Sequence, residues 1–336
     1  MPEPRVLEHV ARLKIDGQRL DAYLASYYPE MTRSIVQRVI QAGGVLVNGK
    51  VAKASYKVRH NDLIRFESPL IERPGPAAED IPLQVLFEDE HLAVIDKPPN
   101  MVVHPAKGNW SGTLVNALRH RFPDLSGLNG DYRAGIVHRL DRDTSGVILI
   151  AKEERTHRDL AMLFETRKIF KEYLALTNGV IDRDSDYVEG KIAHHAHDRT
   201  KMTIADEEDE LAKDALTYYE VIERFRGFSF VRCVPKTGRT HQIRVHLASI
   251  GHPILADKLY SGRDKIRLSD LCRERPTSPG VDENSDEVLL PRQALHAHRL
   301  RLTHPRTGNL LEVAAPLPLD MTRTLDAIRT YRPLYS

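Results

Sequence analysis

The sequence is poor in cysteine, with Cys233 and Cys272 the only two in 336 residues. They stand far apart and form no CxxC pair, which argues against a disulfide framework or a cysteine zinc site and suits a reducing compartment. Long hydrophobic runs are missing too. VILIA at 147–151 is among the longest and falls far short of the roughly 18 residues that a membrane-spanning helix needs. The opening MPEPRVLEHVARLK contains no apolar segment, so no secretory signal is expected and the cytoplasm is the expected location. Charge of one sign is scarce as well: 49 Lys and Arg face 47 Asp and Glu, a net of +2. The total therefore demands no polyanionic partner, and a case for nucleic acid has to rest on where the charges lie.

What is present is an ordinary globular composition, 41% hydrophobic and 29% charged, in a chain long enough for one large domain and a smaller one. The charges are unevenly spread. Residues 17–69 hold eight Lys or Arg against four acids, and residues 225–246 hold five basic residues and no acid. Acids gather instead at 206–214 and 270–287, six in each. The two basic segments suit a local phosphate footprint, although a solvated face has the same composition.

The stretch SPLIERPGPAAEDIP, 68–82, carries four prolines and a glycine, a linker composition. Residues 1–15 are accordingly expected to be a tail, 16–70 a small domain, 71–82 a linker and 83–336 a larger domain. Within the small domain Thr32 can cap a helix in which Ile35, Val36, Val39 and Ile40 share one face and Arg33, Gln37 and Gln41 another. Gly43 and Gly44 stop it. VLVNGKVA then predicts a hairpin turning on Asn48-Gly49, and YKVRHNDLIRFE a further strand. Arg33, Arg38, Lys50, Lys53, Lys57 and Arg59 would make a basic surface around this unit. The run from RLDAYLASYYPEMTR through VLVNGK to VRHNDLI resembles the S4 RNA-binding module over most of its length. That resemblance implies RNA contacts from Arg33, Arg38, Lys50 and Lys53.

Beyond the linker, strand-like and helix-like segments alternate without βαβ repeats, so the expectation is an α+β fold with a mixed, largely antiparallel sheet. The segment 264–292 is polar, acidic and proline-bearing and reads as a surface insertion without chemistry.

GIVHRLDRDTSGVILIAK, 135–152, sets four charges between apolar runs. Asp-Thr-Ser-Gly is turn composition, so Arg139, Asp141, Arg142 and Asp143 are expected on a loop delivered by a strand, a common place for functional groups. Flanking arginines can hold Asp141 ionised, ready to act as a nucleophile or base. A salt bridge in a turn has the same spacing. In VPKTGRTHQIRVHLASIGHPILADKLY, Thr240 can cap a helix with Ile243, Leu247 and Ile250 inward and Gly251 at its end. Lys236 and Arg239 precede that helix and Arg244 projects from its first turn, an arrangement that suits a phosphate or a carboxylate or a plain capping turn. KIFKEYLAL alternates as a strand, and by itself Tyr173 within it reads as core packing.

HRLDRDTSG, KEYLAL, KTGRTHQIRVHLASIGHPILAD and LPRQALHAHRL, in this order behind an S4-like module, resemble the RluA family of RNA pseudouridine synthases from about residue 17 to about 310. The resemblance implies an isomerase that turns uridine into pseudouridine. It also implies roles: Asp141 as the essential aspartate, Tyr173 as the ring that packs on the target base and takes part in proton transfer, and Arg244 as the ion-pair partner of Asp141. Arg139 would fill the gap left by the flipped-out base. Lys236 and Arg239 join them as RNA-binding candidates. The N1–C1′ bond must break, the base rotate, and C5 join C1′; whether Asp141 attacks covalently or promotes a glycal route stays open. The uridine must also leave its stack.

An isomerisation of this kind needs no redox partner or group donor, so no cofactor is expected. HHAH at 194–197 and HAH at 296–298 lack a carboxylate or cysteine at metal-ligand spacing. They are read as surface or RNA-contacting histidines, with no metal. Ala256-Asp257 departs from the family's usual Gly-Asp, and YSGR from its tighter turn; both are expected to affect a loop and not the catalytic set. The expected partner is RNA, 23S-type ribosomal RNA or the assembling large subunit first and transfer RNA as an alternative, with no membrane partner and a monomeric chain. A non-catalytic ribosome-assembly protein would keep the fold without needing Asp141, and a glycosidase would need a second acid beside it.

Overall fold

A computed structural model describes residues 5–11, 17–28, 33–68, 75–106, 108–198, 200–206, 208–209, 211–272 and 286–334. The chain divides into two compact units, Met1–Pro74 and Gly75–Ser336.

In the first unit, β1 (Arg5–Val10), α1 (Leu20–Tyr27), α2 (Arg33–Gln41), β2 (Val45–Val47), β3 (Lys50–Val51) and β4 (Leu63–Ser68) follow one another. The strands form one antiparallel sheet in the order β1-β4-β2-β3. Part of the segment expected as a tail is thus a strand: β1 pairs with β4 along its whole length, and its Leu7 packs on the unit's core. The expected face of α2 is buried, with Ile35, Val36, Val39 and Ile40 set against Leu20, Leu24, Val45 and Phe66. Thr32, expected as its cap, lies outside the described residues.

Asn48 and Gly49 turn the β2–β3 hairpin with φ of 52° and 79°, the left-handed pair that a tight two-residue turn requires. The strand expected across 56–67 begins only at Leu63. Asp62 accepts hydrogen bonds from the Arg59 N–H at 2.8 Å, Asn48 Nδ2 at 2.8 Å and the Tyr56 hydroxyl at 3.0 Å, and these close a turn where a strand would have continued. The other helix face also has a local function. Arg33 Nε and Gln37 Nε2 donate to the buried carboxylate of Asp21 at 3.1 and 2.6 Å, joined by Arg19 Nε at 3.1 Å. Burial would raise the pKa of Asp21, but these donors outweigh it and hold the carboxyl below the usual range.

The second unit contains β5 (Gln84–Glu88), β6 (Leu92–Lys97), α3 (Leu114–Arg121), β7 (Ser145–Ala151), α4 (Glu154–Glu165), β8 (Phe170–Asn178), β9 (Ser185–His194), β10 (Met202–Ala205), β11 (Lys213–Phe225), β12 (Phe228–Pro235), α5 (Gln242–Ser249), β13 (Ile266–Arg267), α6 (Leu268–Leu271), β14 (Val288–Leu290), β15 (Leu295–Thr303), β16 (Leu310–Ala314) and α7 (Leu319–Tyr331). Its main sheet runs β10-β9-β11-β12-β8-β15-β7-β6-β5, with β16 paired to β15. Every pairing in it is antiparallel except β15 with β7. The fold is α+β, as the sequence implies.

Central β7 explains the apolar run VILIA. Ile148 and Ile150 face a core with Leu114 and Leu118 of α3, while Val147, Leu149 and Ala151 face a core with Leu160 of α4. A strand covered on both faces reads as continuously hydrophobic. Gly146, read from composition as part of the turn, lies inside this strand with φ 109°; a Cβ there would stand 2.1 Å from the Ala297 carbonyl oxygen of β15. Close backbone approach, not turn geometry, requires the glycine.

Two further expectations change. The ends of the 264–292 segment are structured: β13 pairs with β14, and Ile266, Leu271, Leu289 and Leu290 are buried in the core that also holds Met321, Leu325 and Ile328 of α7; residues 273–285 lie outside the described residues. Helix α5 is not capped by Thr240. Gln242 Oε1 accepts from the Thr237 hydroxyl at 2.7 Å and the Arg239 N–H at 3.0 Å, which closes the preceding turn, so the helix begins after His241, at φ 55°. Ile243 and Leu247 are buried as expected, but Ile250 lies beyond the helix and is 36% exposed.

Candidate active site

The interrupted core of 136–151 resolves into a loop fastened at four places. Ile136 bridges to Ile150, and the backbone then leaves the sheet until Ser145. His138 Nε2 accepts from the Leu149 N–H at 2.8 Å. Lys97, fully buried at the end of β6, donates to the carbonyls of Pro98, Met101 and Arg142 at 2.7, 3.0 and 3.0 Å. Arg292 donates to the Asp143 carbonyl at 2.8 Å while gripping the Asp320 carboxylate at 2.6 and 2.9 Å. Gln293 Nε2 donates to the Thr144 hydroxyl at 2.9 Å. Each tie satisfies a polar group in the interior, and together they fix the backbone on both sides of Asp141. Arg292 gives the end of the supposed insertion a function at this loop.

Spacing offers Arg139 and Arg142 as counter-charges of Asp141, and the family resemblance offers Arg244; the structure places Arg244 there. Arg244 Nη1 donates to Asp141 Oδ2 at 3.0 Å, while Arg244 Nε and Nη2 donate to Asp257 Oδ2 and Oδ1 at 2.6 and 2.8 Å. The guanidinium is buried, and its carbon lies 5.1 Å from the centre of the Tyr260 ring. Burial opposes its charge, but the two carboxylates raise its pKa above the ordinary arginine value, so it remains a cation. His241 Nε2 lies 3.8 Å from Asp141 Oδ2. Burial lowers its pKa despite the carboxylate, and its Nδ1 meets the Tyr260 hydroxyl at 3.1 Å. The shorter contact on Asp141, at 3.0 Å, is that of Arg244.

Asp257 lies in the ILAD segment, where a departure from the family pattern was expected to touch only a loop. That loop holds Arg244. Ala256 takes φ 55°, so an alanine adopts the left-handed backbone that glycine adopts without strain.

Asp141 lies between two cavities. One, of about 590 Å³, is lined by Tyr173, Lys171, Lys236, Arg239 and Ile243 as well as Arg139, Asp141 and Arg244. The other, of about 560 Å³, is lined by His104, Arg142, Lys258 and again Arg139, Asp141 and Arg244. The structure thus brings Asp141, Tyr173, Arg244, Arg139, Lys236 and Arg239 together. Arg33, Arg38, Lys50 and Lys53 belong to the other unit. Burial first, and the Asp141 charge second, push the Tyr173 phenol well above its usual pKa, so it remains protonated. Burial also lowers the pKa of Lys171.

Sequence reasoning missed His241, Asp257, Tyr260, Lys97 and Arg292. His241 and Asp257 stood inside segments already singled out, and Tyr260 closed one. Lys97 and Arg292 act on backbone carbonyls far along the chain, which leave no mark on spacing. The histidine reading needs correction: His296 is fully buried, its Nδ1 3.0 Å from the Ser145 hydroxyl and its Nε2 3.3 Å from the Ala315 carbonyl. His195 Nδ1 accepts from the N–H groups of His197 and Asp198 at 3.3 and 3.2 Å. Among the described residues no group of three or more His, Cys, Asp or Glu is placed to hold a metal ion, and no helix is long and apolar enough to cross a membrane.

Comparison with known proteins gives this arrangement a context. Residues 91–249 match the family of RNA pseudouridylate synthases and residues 18–64 match the S4 domain. The chain is 43% identical over 314 residues to a protein of Nitrosomonas europaea named ribosomal large subunit pseudouridine synthase D, covering 93% of this chain and 85% of that one. It is 38% identical over 313 residues to an uncharacterized RNA pseudouridine synthase of Bacillus subtilis, covering 93% and 95%. Among solved structures, human RNA pseudouridylate synthase domain containing 4 superposes with a TM-score of 0.53 at 28% identity, covering 73% of this chain and 93% of that one. Such matches define an enzyme that isomerises uridine in RNA. The chain belongs to the RNA pseudouridylate synthase family, as a member with an S4 domain ahead of its catalytic unit.

Proposed function

We propose that this pseudouridine synthase acts on large-subunit ribosomal RNA, with Asp141 as the group that attacks or deprotonates the target nucleoside. The observation that carries the reading is the position of Asp141: a carboxylate on a tethered loop, paired by a buried arginine at 3.0 Å and open to a cavity that Tyr173 lines. The substrate class is supported by relatives named for the large ribosomal subunit that align with more than nine-tenths of the chain.

Arg244 pairs and directs the Asp141 carboxylate while Asp257 fixes Arg244. Asp141 acts when the N1–C1′ bond breaks, either by bonding to the nucleoside or by taking a sugar proton on a glycal route. The uracil turns within the cavity, C5 bonds to C1′ as the bond to Asp141 breaks or the sugar proton returns, and the C5 hydrogen leaves as a proton while N1 gains one. Tyr173 offers its ring to the base and, as a protonated phenol, a hydroxyl through which that proton can pass. Exposed Arg139 takes the place of the extruded base, offsetting the few kcal/mol that unstacking costs. Lys236 and Arg239 hold phosphates at the cavity mouth. Exposed Arg38, Lys50 and Lys53, with Arg33 as far as its bond to Asp21 allows, give the S4 domain its grip on the backbone. The balance of the reaction requires no cofactor or metal, one copy holds the whole set, and the enzyme works as a cytoplasmic monomer.

Tritium release from uridine labelled at C5 tests this, because forming the C5–C1′ bond expels that hydrogen. Wild-type protein should release tritium from unmodified large-subunit transcripts. Asp141→Asn should release none and should bind the same RNA within about threefold, a difference of less than ~1 kcal/mol. Turnover by Asp141→Asn would remove Asp141 from the reaction. Release from transfer RNA alone would move the substrate.

A further inference from the structure

The chain has one tryptophan, Trp110, and it is 58% exposed. A large aromatic left in water forfeits the burial that usually retains it, and Trp110 is not there because its segment is slack. Ala106 and Asn109 exchange both backbone hydrogen bonds, at 3.0 and 2.8 Å. The Gly112 N–H then donates to the Glu79 carboxylate at 3.0 Å, and Thr113 caps α3. Trp110 is thus held outward by a closed turn on one side and a capped helix on the other. The Tyr132 ring stands against it edge-on, with centroids 6.3 Å apart at 76°.

This aromatic pair borders the catalytic loop. Asn109 Oδ1 accepts from Arg142 at 3.5 Å, and Ala106, Arg142 and His104 line the second cavity beside Asp141. Arg133, Arg139 and Arg142 are exposed. The charges of Arg133 and Arg139 act, after burial, to lower the pKa of His104, and its enclosed Nδ1 has no partner among the described residues. The one acidic neighbour of Tyr132 in sequence, Asp131, faces Arg119 at 3.8 Å. An exposed Arg142 bonded to the residue before Trp110, an exposed Arg133 next to Tyr132 in the chain, and a half-exposed aromatic ring have the chemistry of a single-strand nucleic-acid platform: cations for the phosphates and a flat face for a base.

We propose that Trp110, backed by Tyr132, is a stacking platform for an unpaired base of the strand that carries the target uridine, reached through the second cavity. A neighbouring nucleotide held there would keep the strand open while Arg139 replaces the flipped uridine. The inference rests on the RNA-substrate reading above and adds a second nucleotide site to it.

Because Trp110 is the only tryptophan, its emission reports the platform directly. Titrating full-length Asp141→Asn protein with single-stranded oligouridylate should quench that emission, as stacking does, and a fully paired duplex should not. With a transcript that wild type converts by tritium release, Trp110→Ala should raise KM about 5- to 150-fold, the range for removing one base–aromatic stack. Its kcat should stay within about threefold of wild type, since an interaction equally strong in the ground and transition states moves KM alone. Trp110→Phe should restore most of the loss. Quenching by oligouridylate would support the platform even if no large-subunit transcript were converted, an outcome that would fault the substrate assignment alone. Conversion with no quenching and an unchanged KM in Trp110→Ala would overturn it. So would an emission shift seen only with ribosomal precursor particles, which would assign the patch to a protein partner.

Discussion

Arg244 and Asp257 meet in a two-point ion pair, 2.6 and 2.8 Å, in which both side chains are buried. The remaining nitrogen of the same guanidinium reaches Asp141. The carboxylate proposed for chemistry is therefore positioned by another carboxylate it does not touch, through a planar cation with donors on both sides. Asp257→Asn keeps the volume but leaves the Arg244 charge half-compensated. Removing one partner of a buried pair costs about 3–5 kcal/mol, so a urea midpoint well below wild type is expected. Displacing Arg244 by about 1 Å should lower kcat on the order of a hundredfold, with KM much less affected. Near-normal kcat in a folded Asp257→Asn would show that Arg244 needs no such support.

Acid should destabilise the catalytic unit through its enclosed histidines. Burial lowers His246 and His296 to about 4 and His138 to about 3, against roughly 6.5 in an unfolded chain. The sign follows from proton counting. Between these values the unfolded chain binds protons that the folded one refuses, so the stability is present above pH 6.5 and is lost as pH falls toward 4. Each histidine contributes up to about 1.4 kcal/mol per pH unit within that window. His296→Gln should flatten the dependence of the urea midpoint on pH between 7 and 5. An unchanged slope would mean that His296 does not titrate with unfolding.

Gly146→Ala should be among the most damaging single-methyl additions in the chain. Its Cβ would fall 2.1 Å from a backbone oxygen of β15, at a φ of 109°, and backbone on both sides leaves nothing flexible to yield. Separation of β7 from β15 would shift the loop that carries Asp141. Thermal unfolding should drop by more than the ~2–4 °C that an ordinary 1 kcal/mol lesion costs a large domain, with loss of tritium release. Gly227→Ala, with open space around it, provides the contrast: only its positive φ opposes the change.

Reversing charge at Arg38, Lys50 and Lys53 together should weaken RNA binding without lowering kcat. These side chains are exposed, so folding should be untouched. For every phosphate that the variant no longer neutralises, the slope of log affinity against log salt should fall by about 0.7–0.9. Affinity measured across a salt series reads this directly; a parallel line for the triple variant would take the S4 domain off the RNA.

Much of this was legible in the sequence because it depends on local periodicity and turn chemistry. The buried face of α2, the Asn48-Gly49 turn and the strand of Tyr173 are encoded within a few residues of where they act. Motif order carried the family, and the three residues it singled out, Asp141, Tyr173 and Arg244, line one cavity. The errors share another physical origin. Thr240 lost the cap to a glutamine that closed the turn first. A supposed insertion turned out to have Leu289 and Leu290 in the core, and a histidine read as exposed was His296, buried between strands.

The sequence by itself determined that a charged loop interrupts a buried strand and that an arginine-bearing helix and a tyrosine strand accompany it. Only the tertiary structure decided how the ion pair on Asp141 and its loop are held. Asp257 fixes the Arg244 that pairs Asp141, and Lys97 and Arg292 fasten the loop by its carbonyls. Spacing along a chain restricts contacts between near neighbours. These groups lie many residues apart, and their partners are set by the pairing of β7 with β15 and by the burial that makes an unpaired charge too costly to keep.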